Sequence, residues 1–240
     1  MKKIDVCLSP ELIHLYDFKD RVVVVVDVLR ATTCMVTALA NGVRKIRAYK
    51  DLDACRSMRN HGYIIAGERG GQKVEDFDLG NSPLSYLDDA YLGEQLAVTT
   101  TNGTLAIDKS KHAHEVIIGA LVNLDAVVDY LKSQERDVLI FCAGWKGKVN
   151  LEDTLFAGGV IDKLQGDFEF ECDAPQIAQM VYDRAKDDII GYLKNASHVK
   201  RLNGFDIGDD IQFCLTPNTY DIVPVLQGQD LVLKQQQLHI

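Results

Sequence analysis

Five consecutive valines, Val22–Val26, constrain this chain more than any other stretch. β-branched side chains favour extended backbone. A run this short and apolar on both faces suits a strand covered on two sides, as in a parallel sheet. The pattern then switches to helix. Met35, Ala38 and Leu39 fall at three- and four-residue spacing, Thr32 or Thr33 can cap the start, and Asn41-Gly42 supplies a left-handed stop. Asp27, Arg30, Thr32 and Thr33 sit at the junction. The carboxyl end of such a strand, facing a helix amino terminus, is where open α/β sheets hold ligands. Asp27 paired with Arg30 and a threonine serving only as N-cap is the structural alternative for the same residues.

The strand–turn–helix logic recurs along the chain. A short strand is expected at 4–8 and a helical turn at 11–16. A strand at 45–49 leads to a helix at 51–60 stopped by His61-Gly62, and a strand at 63–66 runs into the loop Gly67-Glu68-Arg69-Gly70-Gly71. Residues 76–83 are rich in turn formers, and Ser82-Pro83 fits the N-cap and first position of a short helix to 87. A strand at 95–99 ends in Thr100-Thr101-Asn102-Gly103-Thr104 and a helix at 105–109. This hydroxyl- and amide-rich turn can cradle an anion, but it lacks the Gly-Lys-Ser/Thr of a mononucleotide P-loop.

Strands at 115–118 and 137–142 flank a helix capped by Asn123. Cys142-Ala143-Gly144-Trp145-Lys146-Gly147 follows, then Glu152 and Asp153 in the first turn of a helix bearing Phe156, Val160 and Leu164. Carboxylates there complement the helix dipole, so capping is an alternative role for at least one of them, and the two are not expected to face the same way. A helix at 174–194 is predicted to bury a stripe of Ile177, Val181, Ala185, Ile189 and Leu193, widened by Met180 and Tyr192. Strands are expected at 211–215, 222–226 and 231–234, and 235–237 as a fraying tail.

At 240 residues with 47% hydrophobic content the chain suits one α/β domain spanning 1–240. Its 26 basic and 35 acidic residues give a net charge of −9, with no basic cluster, which argues against nucleic acid as a partner. An acidic protein that binds anions needs local arginines, backbone amides or a bound cation. The six cysteines are scattered without a C-x-x-C pair, as expected of reduced thiols. Neither a signal peptide nor an apolar run of membrane-spanning length is evident, so the expected location is the cytoplasm, away from membranes.

Four stretches together resemble the 2-phosphosulfolactate phosphatase family: VVVDVLRATT at 24–33, GERGG at 67–71 with FDLGNSP at 77–83, TTTNGT at 99–104, and CAG at 142–144 followed by LEDTLFAGG at 151–159. The resemblance implies a three-layer α/β/α sandwich with a mixed, mostly parallel sheet. It also implies a magnesium-dependent phosphatase acting on (R)-2-phospho-3-sulfolactate, of the type that serves coenzyme M biosynthesis. The loop Trp145-Lys146-Gly147-Lys148 departs from the family pattern, so other 2-hydroxy-acid phosphates stay open as substrates; a homodimer is a candidate assembly.

Magnesium prefers oxygen ligands and keeps several waters, which nominates Asp27, Glu68 and Asp153, with Asp78 in reserve. Arg30 and Arg69 suit the substrate's oxyanions through their forked geometry, with Asp27 the third catalytic candidate. Thr32, Thr33, Asn81, Ser82, Thr101, Asn102, Gly103 and Thr104 are the candidate substrate-binding residues. A haloacid-dehalogenase-type mechanism needs Asp-x-Asp, whereas Val28 and Leu29 follow Asp27. Cys142 lacks the C-x5-R phosphate loop of a thiol phosphatase. A non-catalytic anion-binding protein on the same scaffold is the alternative from another class.

Overall fold

The computed structural model describes residues 1–202, 204 and 207–234. Among the described residues eleven strands form one sheet: β1 (Lys2–Cys7), β2 (Val22–Val26), β3 (Lys45–Ala48), β4 (Ile64–Arg69), β5 (Gln72–Lys73), β6 (Gln95–Thr99), β7 (Glu115–Gly119), β8 (Val138–Cys142), β9 (Phe168–Glu169), β10 (Pro224–Gln227) and β11 (Asp230–Leu233). Their spatial order is β5-β4-β6-β3-β11-β10-β7-β2-β8-β1-β9. Two parallel blocks result. One holds β7, β2, β8, β1 and β9; the other holds β3, β6 and β4. The antiparallel hairpin β10–β11 joins them through thin seams, a single residue pair Val225–Ile117 on one side and two pairs, Asp230–Arg47 and Leu231–Ile46, on the other. The α/β class with a mixed, mostly parallel sheet is therefore the observed one.

The valine run is the centre of the larger block. β2 lies between β7 and β8, and all five valines are buried. Side chains alternate across a strand. Val22, Val24 and Val26 enter one core with residues of α4 (Leu124–Lys132), α5 (Leu151–Lys163) and α6 (Ala174–Ala185). Val23 and Val25 enter another with α1 (Ala31–Ala40), α3 (Gly103–Ser110) and Ile46, Leu96 and Val98 of the second block. α1 touches β7, β10 and β3, so the blocks share one core through this helix. A third, smaller cluster beneath α2 (Leu52–Ser57) contains Cys55, Tyr63, Ile65, Phe77 and Ala97.

The structure departs from the sequence reading in the last third. The helix expected over 174–194 is two, α6 and α7 (Ile189–Leu193), because Asp188 leaves helical geometry and its side chain accepts the Gly191 N–H. The expected stripe is only partly core: Ile177 is 50% and Met180 70% exposed, while Ala178, Ala185, Ile189 and Leu193 are buried. α6 meets α5 through small residues. A Cβ on Gly158 would collide with the Ala178 carbonyl, and one on Gly159 would stand 2.9 Å from the Tyr182 ring. Close backbone approach thus rotates α6 toward its alanines. The strand expected at 211–215 is instead α9 (Gly208–Cys214), burying Ile211 and Cys214 at three-residue spacing, an ambiguity inherent to short apolar runs. β4 runs on to Arg69, so Gly67 and Glu68 are strand residues. The tail at 235–237 lies outside the described residues.

Gly158→Ala is expected to destabilise the fold by about 1–3 kcal/mol, since neither helix backbone can yield without opening the core. Thermal unfolding checks this beside Gly208→Ala, where a Cβ meets nothing within 4 Å; equal melting temperatures for the two variants would contradict the close-approach account.

Candidate active site

Three strand ends and two helix starts assemble a single group of side chains. At the end of β2, Asp27 donates its N–H to Thr32 Oγ1 at 3.0 Å and its carbonyl accepts the Thr32 N–H at 2.9 Å; Thr33 Oγ1 donates to the Val28 carbonyl at 2.8 Å. Both threonine hydroxyls shape the turn. At the start of α5, Asn150 caps the Asp153 N–H. The Asp153 carboxylate then accepts the Val28 N–H at 2.9 Å and the Gly144 N–H at 3.0 Å, binding the exits of β2 and β8 to the helix. In β4, Glu68 accepts the N–H groups of Thr101 and Gly71, each at 2.7 Å. Gly103, the first residue of α3, closes the group. A Cβ there would lie 2.9 Å from Asp27 Oδ2 and 2.7 Å from Ala31 Cβ, so only glycine lets this helix dock against Asp27.

Four carboxylates are thereby buried together: Asp27, Glu68, Glu152 and Asp153. Burial pushes the Asp27 carboxyl up to about 7; His198 opposes the shift, and Glu68 and Glu152 add to it. Burial likewise raises Asp153 well above the ordinary carboxylate range, reinforced by Asp27 and Glu152 and opposed by its two amide partners. His198, from α8 (Ser197–Leu202), bonds Glu152 Oε1 through Nδ1, while Glu152 Oε2 has no partner. Among the described residues just three buried side-chain polar atoms lack a partner: Glu152 Oε2, Thr101 Oγ1 and Arg201 Nε. All three belong to this region, and buried orphans of this kind mark a missing ligand, ion or water.

The other nominated residues sit around the group. Arg30 is buried and pairs with Asp210 of α9, with a second bond of 3.3 Å to the Gly71 carbonyl. Ser82 Oγ donates to the same Asp210 at 2.7 Å, and Asn81 lines a small recess with Ala31, Ala66 and Thr100. Arg69 is exposed and donates to Thr99 Oγ1 at 2.8 Å. Thr104 is bonded wholly to Thr100, and Asn102 Oδ1 accepts the Lys146 N–H at 3.2 Å. Asp78 is occupied elsewhere, by Arg59 and the Ile65 N–H. Cys142 is fully buried, with its thiol driven up by burial, away from the nucleophilic thiolate.

Sequence reasoning left out His198, Asp210 and Arg201, and it noted Glu152 beside Asp153 without naming it among the site residues. An isolated histidine or arginine in a late helix carries no local signal. Asp210 did carry one: with Asp209 it forms the acidic first turn of a helix.

The fit to a divalent cation follows from the donor set. Among the described residues no group of three or more His, Cys, Asp or Glu side chains is arranged to hold a metal ion directly. Each oxygen of Glu68 and Asp153 already holds a backbone amide. Hard carboxylate oxygens with one orphan suit a cation bound through one or two carboxylates that keeps much of its water, as magnesium does.

Comparison with known proteins shows the family. The family model described as 2-phosphosulpholactate phosphatase matches residues 7–229. A probable 2-phosphosulfolactate phosphatase of Caldanaerobacter subterraneus subsp. tengcongensis is 38% identical over 217 residues, covering 88% of this chain and 90% of its own. One of Thermotoga maritima is 39% identical over 90% of this chain and 93% of its own, and one of Clostridium botulinum 34% identical over 96% and 99%.

The raised Asp27 pKa makes a stability prediction. Its contribution is fully present below its ordinary value of 3.8 and is lost as pH rises through about 7. Asp27→Asn removes that loss. In EDTA at pH 8 the variant should be more stable than the parent by about 2 kcal/mol, roughly 4–8 °C in Tm, with the gap closing toward pH 4. Thermal unfolding at both pH values checks this; a variant less stable at pH 8 would contradict the crowding of carboxylates described here.

Proposed function

The chain belongs to the 2-phosphosulpholactate phosphatase family of phosphoric monoester hydrolases, and from that membership we propose that it hydrolyses (R)-2-phospho-3-sulfolactate to sulfolactate and inorganic phosphate. The reaction is of the type used toward coenzyme M, carried out by a single domain in the cytoplasm; no described helix is long and apolar enough to cross a membrane. The observation carrying this reading is the buried carboxylate group with its orphaned Glu152 Oε2, a site short of positive charge beside amides and hydroxyls that suit a phosphate.

Asp27 and Glu152, through its free oxygen, are the proposed direct magnesium ligands; Glu68 and Asp153, whose oxygens already hold backbone amides, are proposed to act on the ion through its waters. Magnesium, when bound, offsets the carboxylate charge and polarises the phosphoryl oxygens. The protein's own groups do the rest. The amides at the start of α3 and the Thr101 hydroxyl would donate to phosphoryl oxygens, with the positive end of the helix dipole behind them. Arg69, at the exposed edge of β4, supplies a forked donor toward the entering anion, and Arg30, held by Asp210, supplies fixed positive charge. Burial keeps the reacting groups away from bulk water, where each electrostatic contact is weaker.

Phosphate release from a panel of 2-phospho-hydroxy acids, with magnesium and with EDTA, tests the reading; binding without release in either condition would favour an anion-binding protein. Asp27→Asn should cut turnover at least 10-fold and raise the magnesium requirement, with partial recovery at high metal if water attacks phosphorus. A covalent Asp27 would give no recovery at any concentration. Arg30→Lys and Arg69→Lys should each lower kcat/KM by about 10-fold through loss of the fork; unchanged values in both would return these arginines to structural ion pairing.

A further inference from the structure

The loop after β8 has a specific geometry. Trp145 and Lys148 exchange backbone hydrogen bonds of 2.8 and 3.0 Å across a tight turn in which Gly144, Lys146 and Gly147 all have positive φ, at 58°, 48° and 78°. A lysine in the left-handed region is uncommon, and such conformations persist where surrounding contacts enforce them. Here the Lys146 N–H is held by Asn102, which fastens the loop to the anion-cradling turn before α3.

The turn presents the Trp145 indole as a platform. Its ring lies 5.1 Å from the His198 ring, the imidazole that bonds Glu152. The Arg201 guanidinium stacks over the indole at 4.0 Å and Lys146 Nζ lies 5.5 Å from it. Neither cation forms a salt bridge with a described carboxylate, although Glu152 attracts the Arg201 guanidinium from farther off and the protein carries a net charge of −9. Arg201 Nε is buried and partnerless. A guanidinium stacked on an aromatic face keeps its donor edge free and in one plane, the arrangement that recognises an oxyanion bidentately. One imidazole separates this platform from the carboxylate group where the phosphate is proposed to react.

We propose that Arg201 and Lys146, stacked on Trp145, form a specificity subsite for the acidic group of the substrate that is not transferred, a carboxylate or sulfonate on the carbon skeleton bearing the phosphate. The subsite rests on the phosphatase reading above and names the substrate class it serves: small organic phosphates with a second acid within one or two carbons. Arg201 supplies the fork, Lys146 a second positive charge, and Trp145 fixes both. The strained turn sets the platform's height against the phosphate site.

Three substrates resolve the assignment: 2-phospho-3-sulfolactate with both acids, 2-phospholactate with the carboxylate alone, and isopropyl phosphate with neither. In Arg201→Gln the preference in kcat/KM for the doubly acidic substrate over isopropyl phosphate should fall about 10- to 100-fold, mainly through KM, as loss of charge-assisted hydrogen bonds implies. Arg201→Lys should recover part of it, and Trp145→Leu should mimic the loss. A fall confined to the sulfonate-bearing substrate assigns the subsite to sulfonate; a fall shared with 2-phospholactate assigns it to carboxylate. Equal losses on all three substrates, or none, would overturn the subsite.

Should the parent release phosphate from none of them, the phosphatase reading fails on its own, and calorimetric titration with 3-sulfolactate still decides the subsite. Binding by the parent that is lost in Arg201→Gln supports it. Absence of binding by the parent refutes it.

Discussion

Everything at the centre of this protein depends on one buried carboxylate. Asp153 accepts a backbone N–H from Val28 and another from Gly144, so a single side chain holds the exits of two adjacent strands against the first turn of α5. The arrangement satisfies two amides that would otherwise be orphaned at strand ends. It also sets Asp153 and Glu152, neighbours on one helix, within the field of Asp27. The strut that builds the fold is therefore one source of the charge crowding that defines the site. A neutral replacement would relax the field at the expense of the strut's hydrogen bonds, so the two functions cannot be optimised separately.

The site also serves as the interface between the two parallel blocks. Asp27 and Asp153 belong to the block around β2, whereas Glu68 and the turn before α3 belong to the block around β4 and β6. They meet where Gly103 lies against Asp27 and where Lys146 reaches Asn102. Because the hydrogen-bonded sheet connection between the blocks is thin, these contacts and the shared core around α1 fix their relative position. Catalytic geometry and block packing are thus one set of distances.

The parts legible in the sequence were those whose cause is local. Five valines read as a doubly covered strand because both faces are in fact covered, by separate cores. Asp27, Glu68 and Thr101 stood out because each ends a strand-like run. Glu152 was harder: a first-turn carboxylate usually caps a helix, and only tertiary structure shows Asn150 taking that role and leaving Glu152 to His198. His198, Arg201 and Asp210 come from helices some 50 to 180 residues from their partners, and no local pattern encodes that separation. α6 misled through residue size. The Gly158-Gly159 pair draws in alanines, so the large apolar residues that dominate a periodicity reading lie at the rim.

The hairpin of β10 and β11 has a further consequence. It supplies the antiparallel partners of both β7 and β3, yet it lies more than 100 residues after either. As the chain leaves the ribosome, every other described strand is complete before these two appear. Until then β7 and β3 each present an open edge of hydrogen-bonding groups, the feature through which partly made chains pair with one another. A chain arrested before residue 224 retains the proposed active-site carboxylates but not the seam that closes its sheet. Such a chain calls for a chaperone's shelter rather than for more catalytic residues.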